Sequence, residues 1–300
     1  MTRRPVFTTS EGTHRGSFGA VDWSLFGSIG LIWGSSFLFI DIGLDAFAPG
    51  LVTWVRVASG AAVLWLFAKA RTPVDREDRS RVVTLSLLWV AIPFTLFPIA
   101  QQWINSAVTG MLNGAMPIFA ATFASLLLRR PPRAAQTTGI AVGFLGVVAI
   151  GSPSMGRGSA EALGVVLVVT AVLCYGIAVN LAAPLQQRYG SLPVMARMLG
   201  LAAIWTAPLG LLDAVDSSFA WSSLAAVSVL GVVGTGLAFV VMGTLVGRVG
   251  STRASFITYL IPVVALVLGV AFRGDHVTPV AVGGVGLVVT GAILASRREV

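Results

Sequence analysis

Apolar runs long enough to cross a bilayer constrain this chain more than any other feature. They recur from Trp23 to Ala295, each about 17 to 23 residues long, the length an α-helix needs to span ~30 Å of hydrocarbon. Between them lie only short polar connections, none able to fold as a soluble catalytic domain. Charged residues make up 11% of the 300 positions, against roughly 25% in soluble domains, so lipid is the main solvent the fold must satisfy. The expected fold class is all-α, a polytopic membrane protein of ten transmembrane helices in contact with the lipid bilayer. They lie approximately at residues 23–40, 49–68, 82–100, 107–128, 136–150, 162–183, 193–212, 224–246, 254–272 and 279–295. The fifth and tenth are short, and Gly139-x-x-x-Gly143 and Gly283-Gly284-x-Gly286 predict close helix packing there rather than wide exposure to lipid.

The net charge of +8 does not imply a nucleic-acid partner, because the basic residues form short clusters between apolar runs rather than one face or tail. With the N-terminus inside, sixteen of the twenty basic residues fall on the cytoplasmic side, Arg157 and Arg273 fall outside, and Arg56 and Arg197 lie within helices. The positive-inside rule therefore predicts that both termini are cytoplasmic. Residues 1–22 read as a cytoplasmic tail carrying Arg3, Arg4 and Arg15, with no A-x-A-like cleavage site before a retained first helix, and residues 296–300 form the second tail. Cys174, the single cysteine, lies in an apolar run and reads as a helix-packing residue.

The chain also resembles itself. A shift of 145 positions brings Phe94 onto Phe239, Pro117 onto Pro262, Gly139 onto Gly284 and Gly146 onto Gly291 without a gap. A shift of 142 puts Trp33 on Tyr175 and Gly34 on Gly176, and a shift of 141 puts Arg56 on Arg197. Two five-helix repeats, 23–150 and 162–295, are thus expected. Five is odd, so the second must enter the membrane with opposite orientation, an inverted repeat suited to alternating access.

Polar side chains inside hydrocarbon cost free energy unless partnered, which makes the mid-helix ones functional candidates. These are Ser35 and Ser36 after Trp33; Asn113, four residues before Pro117; Tyr175 and Asn180; and Thr258 and Tyr259, just before Pro262. A proline frees a carbonyl one turn earlier, tolerated in lipid only where protein or water meets it, and Asn113 and Tyr259 fall within such turns. One reading is a midplane substrate site of Trp33, Ser36, Asn113, Tyr175, Asn180 and Tyr259, in a cavity touched by helices one, three, four, six, eight and nine. The competing reading is that Asn and Ser hydrogen-bond neighbouring helices for ~1 kcal/mol or less each. Pro93 and Pro98, with Pro117 and Pro262, are candidate gating or bending points. Arg56 and Arg197, near the starts of the second and seventh helices, either snorkel to the headgroups or meet a carboxylate substrate at a gate. Gln101, Gln102 and Trp103 form an interfacial anchor or a lid.

No metal or cofactor is expected, since His14 and His276 are far apart in sequence and no phosphate loop or nucleophile elbow occurs. An enzyme is disfavoured on the same grounds. A channel is a further alternative, though pores are more often built by several subunits with rings of like residues. All twelve acids fall in tails, loops or helix ends, which points to facilitated movement without an ion site.

Three stretches, LIWGSSF at 31–37, NSAVTGMLNGAMPIF at 105–119 and GSTRASFITYLIPVV at 250–264, resemble the drug/metabolite transporter superfamily, specifically its EamA-type members. The likeness covers nearly the whole chain after residue 22. It implies a bacterial inner-membrane exporter, monomeric, of amino acids or other small metabolites or drugs, the aromatic amino acid exporters having this helix count and length. It also implies a central cavity lined by the first, fourth, sixth and ninth helices. The Gly-Glu pair frequent after the family's fourth and ninth helices is replaced by Arg129-Arg130 in the first copy and Gly274-Asp275 in the second.

Overall fold

The computed structural model describes residues 19–127, 134–156, 158–249 and 255–296. Most of the N-terminal tail, the C-terminal residues 297–300, Arg129, Arg130, Arg133, Arg157 and Arg253 lie outside the described residues, as do the first five residues of the 250–264 motif. All regular structure among the described residues is helical. Eight helices are long and apolar enough to cross a membrane: α1 Ala20–Leu44, α2 Pro49–Leu66, α3 Arg76–Ala100, α4 Ser106–Leu126, α5 Ala134–Met155, α6 Ser159–Tyr189, α7 Ser191–Asp213 and α8 Trp221–Leu245. Two shorter apolar helices follow, α9 Ile257–Arg273 and α10 Pro279–Leu294.

Most helices run past the apolar edges seen in sequence. The fifth, expected to be short, has 22 residues, because the backbone ladder continues through Ser152 and Pro153 where apolar character stops. Large apolar side chains such as Leu31, Leu66, Leu145, Ile204 and Leu212 cover the outer surface, which suits a lipid-facing belt.

Four helices are irregular where polar or proline residues occur. In α3 the turns widen over Ser86–Ala91 and regular winding resumes with Pro93 in its first turn, where a missing N–H costs least. In α8 they widen over Val232–Leu237, nearly the same place under the 145-residue shift. The first piece of α4 ends at Asn113 and the second starts at Met116, with Pro117 in its first turn. In α9 a tight turn over Ser255–Tyr259 gives way to regular helix at Leu260, just ahead of Pro262.

Helix pairing follows a regular scheme. Helix α1 packs on α8 and α9, while α6 packs on α3 and α4; α2 packs on α8, while α7 packs on α3. Three further pairs, α2 with α7, α4 with α9 and α5 with α10, join helices of the same rank in the two stretches. The last pair is backbone against backbone: a Cβ at Gly146 would lie 2.7 Å from Gly284 O, and one at Gly284 would lie 2.9 Å from Gly146 O.

Polar ties join helices at both ends of the bundle. At one end Arg188 holds Asp75 at 2.6 Å and Asp78 at 2.9 Å, and Arg248 holds Asp22, 2.6 Å away. At the other, Arg273 bridges Asp41 and Asp45, and Asp275 accepts hydrogen bonds from Ser106 Oγ and Ala107 N, both 2.8 Å, at the start of α4.

Candidate functional site

A cavity of about 240 Å³ lies inside the bundle. Helix α1 gives it Trp33, Ser36, Phe37 and Ile40, spaced three and four apart so that all fall on one helical face. Across from them stand Asn113 of α4 and Tyr175 and Val179 of α6. The irregular stretches supply the rest, with Trp89 from the wide turns of α3, Gly234 from those of α8, and Thr258 from the tight turn of α9. Every helix expected around the cavity takes part; α2 and α7 join them through Arg56, Ser191 and Met195, and neither α5 nor α10 contributes a lining residue.

The walls are mainly aromatic and aliphatic. Trp33 meets Phe239 edge-on with ring centres 6.1 Å apart, Phe37 meets Phe97 in the same way at 5.5 Å, and Phe97 leans on Tyr175 at 5.9 Å. Such edge and tilted contacts fix ring orientation beyond simple burial. This frame suits a solute with an apolar body.

The polar groups are few. Ser36 Oγ donates to Ile32 O at 3.2 Å, so its proton is engaged within α1. Asn113 Oδ1 is buried without a hydrogen-bond donor among the described residues. Arg56 is 6% exposed, so the snorkelling account does not hold for it: its guanidinium carbon sits 3.7 Å from the centre of the Phe94 ring, and its Nε donates to Thr235 Oγ1 at 3.2 Å. Seven residues into α2, at 1.5 Å per residue, Arg56 stands about 10 Å from the helix start, farther than its own side chain is suited to bridge back. Its sequence counterpart Arg197 behaves differently, donating to Ala70 O and Pro193 O, each at 3.0 Å, at the Arg188 end.

Two residues expected in the site stand outside the lining. Asn180 Nδ2 donates to Ala120 O at 3.0 Å and Gly176 O at 2.8 Å, tying α6 to α4. Tyr259 is half-buried and packs against the hydrophobic core. Pro93, Pro98, Pro117 and Pro262 also lie off the lining, at or near the helical irregularities described above. Gln101 is buried, its Nε2 donating to Phe37 O at 3.1 Å. Phe97 and Met195 line the cavity without having been singled out from sequence, whereas Arg56, for which snorkelling and a carboxylate contact at a gate were both open, stands in the lining. The available signal for Arg56 was its distance from Pro49, which starts α2.

The cavity is placed unevenly between the two ends. Its lining extends to Gln186 and Ser191, flanking Arg188, and to Met242 and Gly243 of α8. Toward the other end it stops at Ile40, one residue short of Asp41 and its contact with Arg273.

The sequence model of the EamA-like transporter family matches residues 23–152 and again 162–297. Among curated proteins, the uncharacterized transporter YoaV of Bacillus subtilis is 25% identical over 91% of this chain and 97% of its own length. A protein of Streptantibioticus cattleyicolor named "Probable terminal-alkyne amino-acid exporter" is 26% identical over 92% of this chain and 93% of its own. The uncharacterized inner membrane transporter YedA of Escherichia coli K12 is 24% identical over 89% and 87%. A solved crystal structure shares the fold with a TM-score of 0.63 at 20% identity, covering 93% of this chain and 97% of that one.

Proposed function

The chain belongs to the EamA-like transporter family, within the drug/metabolite transporter superfamily, and is a multi-pass membrane transporter rather than an enzyme; we propose that it carries small metabolites, amino acids first among them, by alternating access around the central cavity. The observation that carries this reading is the cavity itself, where Trp33, Ser36, Asn113 and Tyr175 meet inside the bundle within a mainly aromatic and aliphatic wall. We assign substrate contact to these four. Pro117 and Pro262, beside the interruptions of α4 and α9, are the assigned bending points, with Pro93 at the regular restart of α3.

In this proposal ten helices span the membrane as two inverted repeats, 23–150 and 162–295. The pairing scheme supports it: exchanging α1 to α5 for α6 to α10 turns each described helix pair into another described pair or into itself. A pseudo-twofold axis has this property, and it lets one half adopt the other's conformation and so move the opening across the membrane. With both termini cytoplasmic in a bacterial inner membrane, the Arg188 end faces inward and the structure stands closest to an inward-facing state. Export of amino acids by a monomer is the proposed direction and substrate class, supported by the name of the Streptantibioticus relative.

The test is counterflow in proteoliposomes of purified full-length protein, screening labelled neutral amino acids first and other metabolites second. Saturable exchange of an amino acid supports the reading. Exchange confined to other solutes removes the amino acid assignment, and flux that never saturates points to a channel.

A further inference from the structure

Arg56 is charged, deep in the membrane-spanning part of the bundle and without a carboxylate partner among the described residues. A guanidinium carries five N–H donors. One is used on Thr235 Oγ1, and the other four make no hydrogen bond to a described protein group. Those terminal nitrogens belong to a side chain that lines the cavity. An isolated buried charge is costly, and an intramembrane charge that persists marks a pathway or binding role.

The local geometry holds the guanidinium for that role. Stacking on the Phe94 ring at 3.7 Å sets its plane, and the bond to Thr235 anchors its Nε edge. Thr235 is itself fixed, donating to Leu230 O at 3.0 Å within the wide turns of α8. What remains free is the terminal fork, the edge that takes an oxyanion through two parallel N–H···O bonds.

We infer that Arg56 is the anion subsite of the cavity and receives a carboxylate of the transported solute through its two terminal nitrogens. This rests on the carrier reading above and narrows its substrates to solutes with one carboxylate and an apolar body. Arg56 is the only charged residue in the lining among the described residues, so a single negative charge balances it, whereas a phosphate dianion would leave charge uncompensated. A bound carboxylate pairs the buried cation, so loading and pairing of that charge are one event.

The test uses purified full-length protein and a matched set of probes: 3-phenylpropionate, its neutral amide 3-phenylpropanamide, and inorganic phosphate. Binding is read from the shift in melting temperature and from isothermal titration. The expected result is stabilisation of the wild type by 3-phenylpropionate and not by the amide, weakened at least about tenfold by Arg56→Gln, the worth of one charge-assisted pair. Arg56→Lys should recover part of the affinity, and without ligand Arg56→Gln should melt no lower than wild type. Equal binding of acid and amide, binding of neither, or unchanged affinity in Arg56→Gln would overturn the assignment, and preferential binding of phosphate would overturn its carboxylate part. The carrier reading is judged separately by counterflow: saturable amino acid exchange undiminished in Arg56→Gln would leave the carrier and remove this subsite.

Discussion

Arg273 holds Asp45 through both terminal nitrogens, at 2.7 and 2.9 Å from its two carboxylate oxygens, while its Nε faces Asp41 on the same helix. The end of α9 is thereby fastened to the end of α1, above the closed end of the cavity. The pair is partly exposed and worth about 1 kcal/mol at most, enough for roughly a fivefold shift between two states of similar energy. Asp45→Asn should favour opening at this end. A cysteine at Ile40, in a chain with Cys174→Ser, should then react several-fold faster with an impermeant maleimide added from the Arg273 side. An unchanged rate would deny the contact a gating role.

Asn113 and Asn180 make opposite predictions. Asn180 is hydrogen-bonded to two carbonyls, so Asn180→Leu should cost about 1 kcal/mol of stability and leave substrate affinity alone. Asn113 Oδ1 has no donor in this state, so Asn113→Leu should leave melting nearly unchanged and lower transport by about tenfold, the worth of one hydrogen bond to solute. Melting curves and counterflow on the same preparations check both.

Packing of α5 on α10 gives a stability prediction. Gly284→Val forces a branched side chain against the Gly146 carbonyl and should destabilise by about 1–3 kcal/mol, whereas Gly283→Val, with nothing within 4 Å of its added Cβ, should be near neutral. Detergent unfolding midpoints distinguish the two.

Coupling is predicted from the lining, which among the described residues contains no acid or histidine, while Asp41 and Asp275 are engaged at the Arg273 end. Counterflow should equilibrate regardless of the sign of an imposed pH gradient. Uphill accumulation driven by that gradient would defeat facilitated transport.

The all-helical, multi-pass character was legible because membrane helices announce themselves by length. Trp33, Ser36, Asn113 and Tyr175, which line the cavity, were singled out by asking which polar or aromatic groups lie deep in apolar runs. Asn180 and Tyr259 met the same criterion and stand off the lining because of helical phase. Asn180 lies five residues after Tyr175, about 140° round the helix, whereas Val179 at four residues stays on the cavity face. Arg56 was left between snorkelling and a carboxylate contact because a charge near a helix start ordinarily reaches water. Its burial under Phe94 depends on α3 and α8 approaching α2, a relation that no local pattern encodes.

The pairing scheme has a consequence for how the protein is made. Helices α1 to α5 emerge from the ribosome first, yet the surfaces of α1 and α2 that finally rest on α8 and α9 have no partner until those helices are synthesised. Until α8 is made Arg56 lacks its Thr235 acceptor, and until α10 is made Gly146 of α5 lacks Gly284. These contacts can therefore form only after α8 and α9 have been made. A ribosome that stalls before α8 would release an insertion intermediate suited to membrane quality-control proteases.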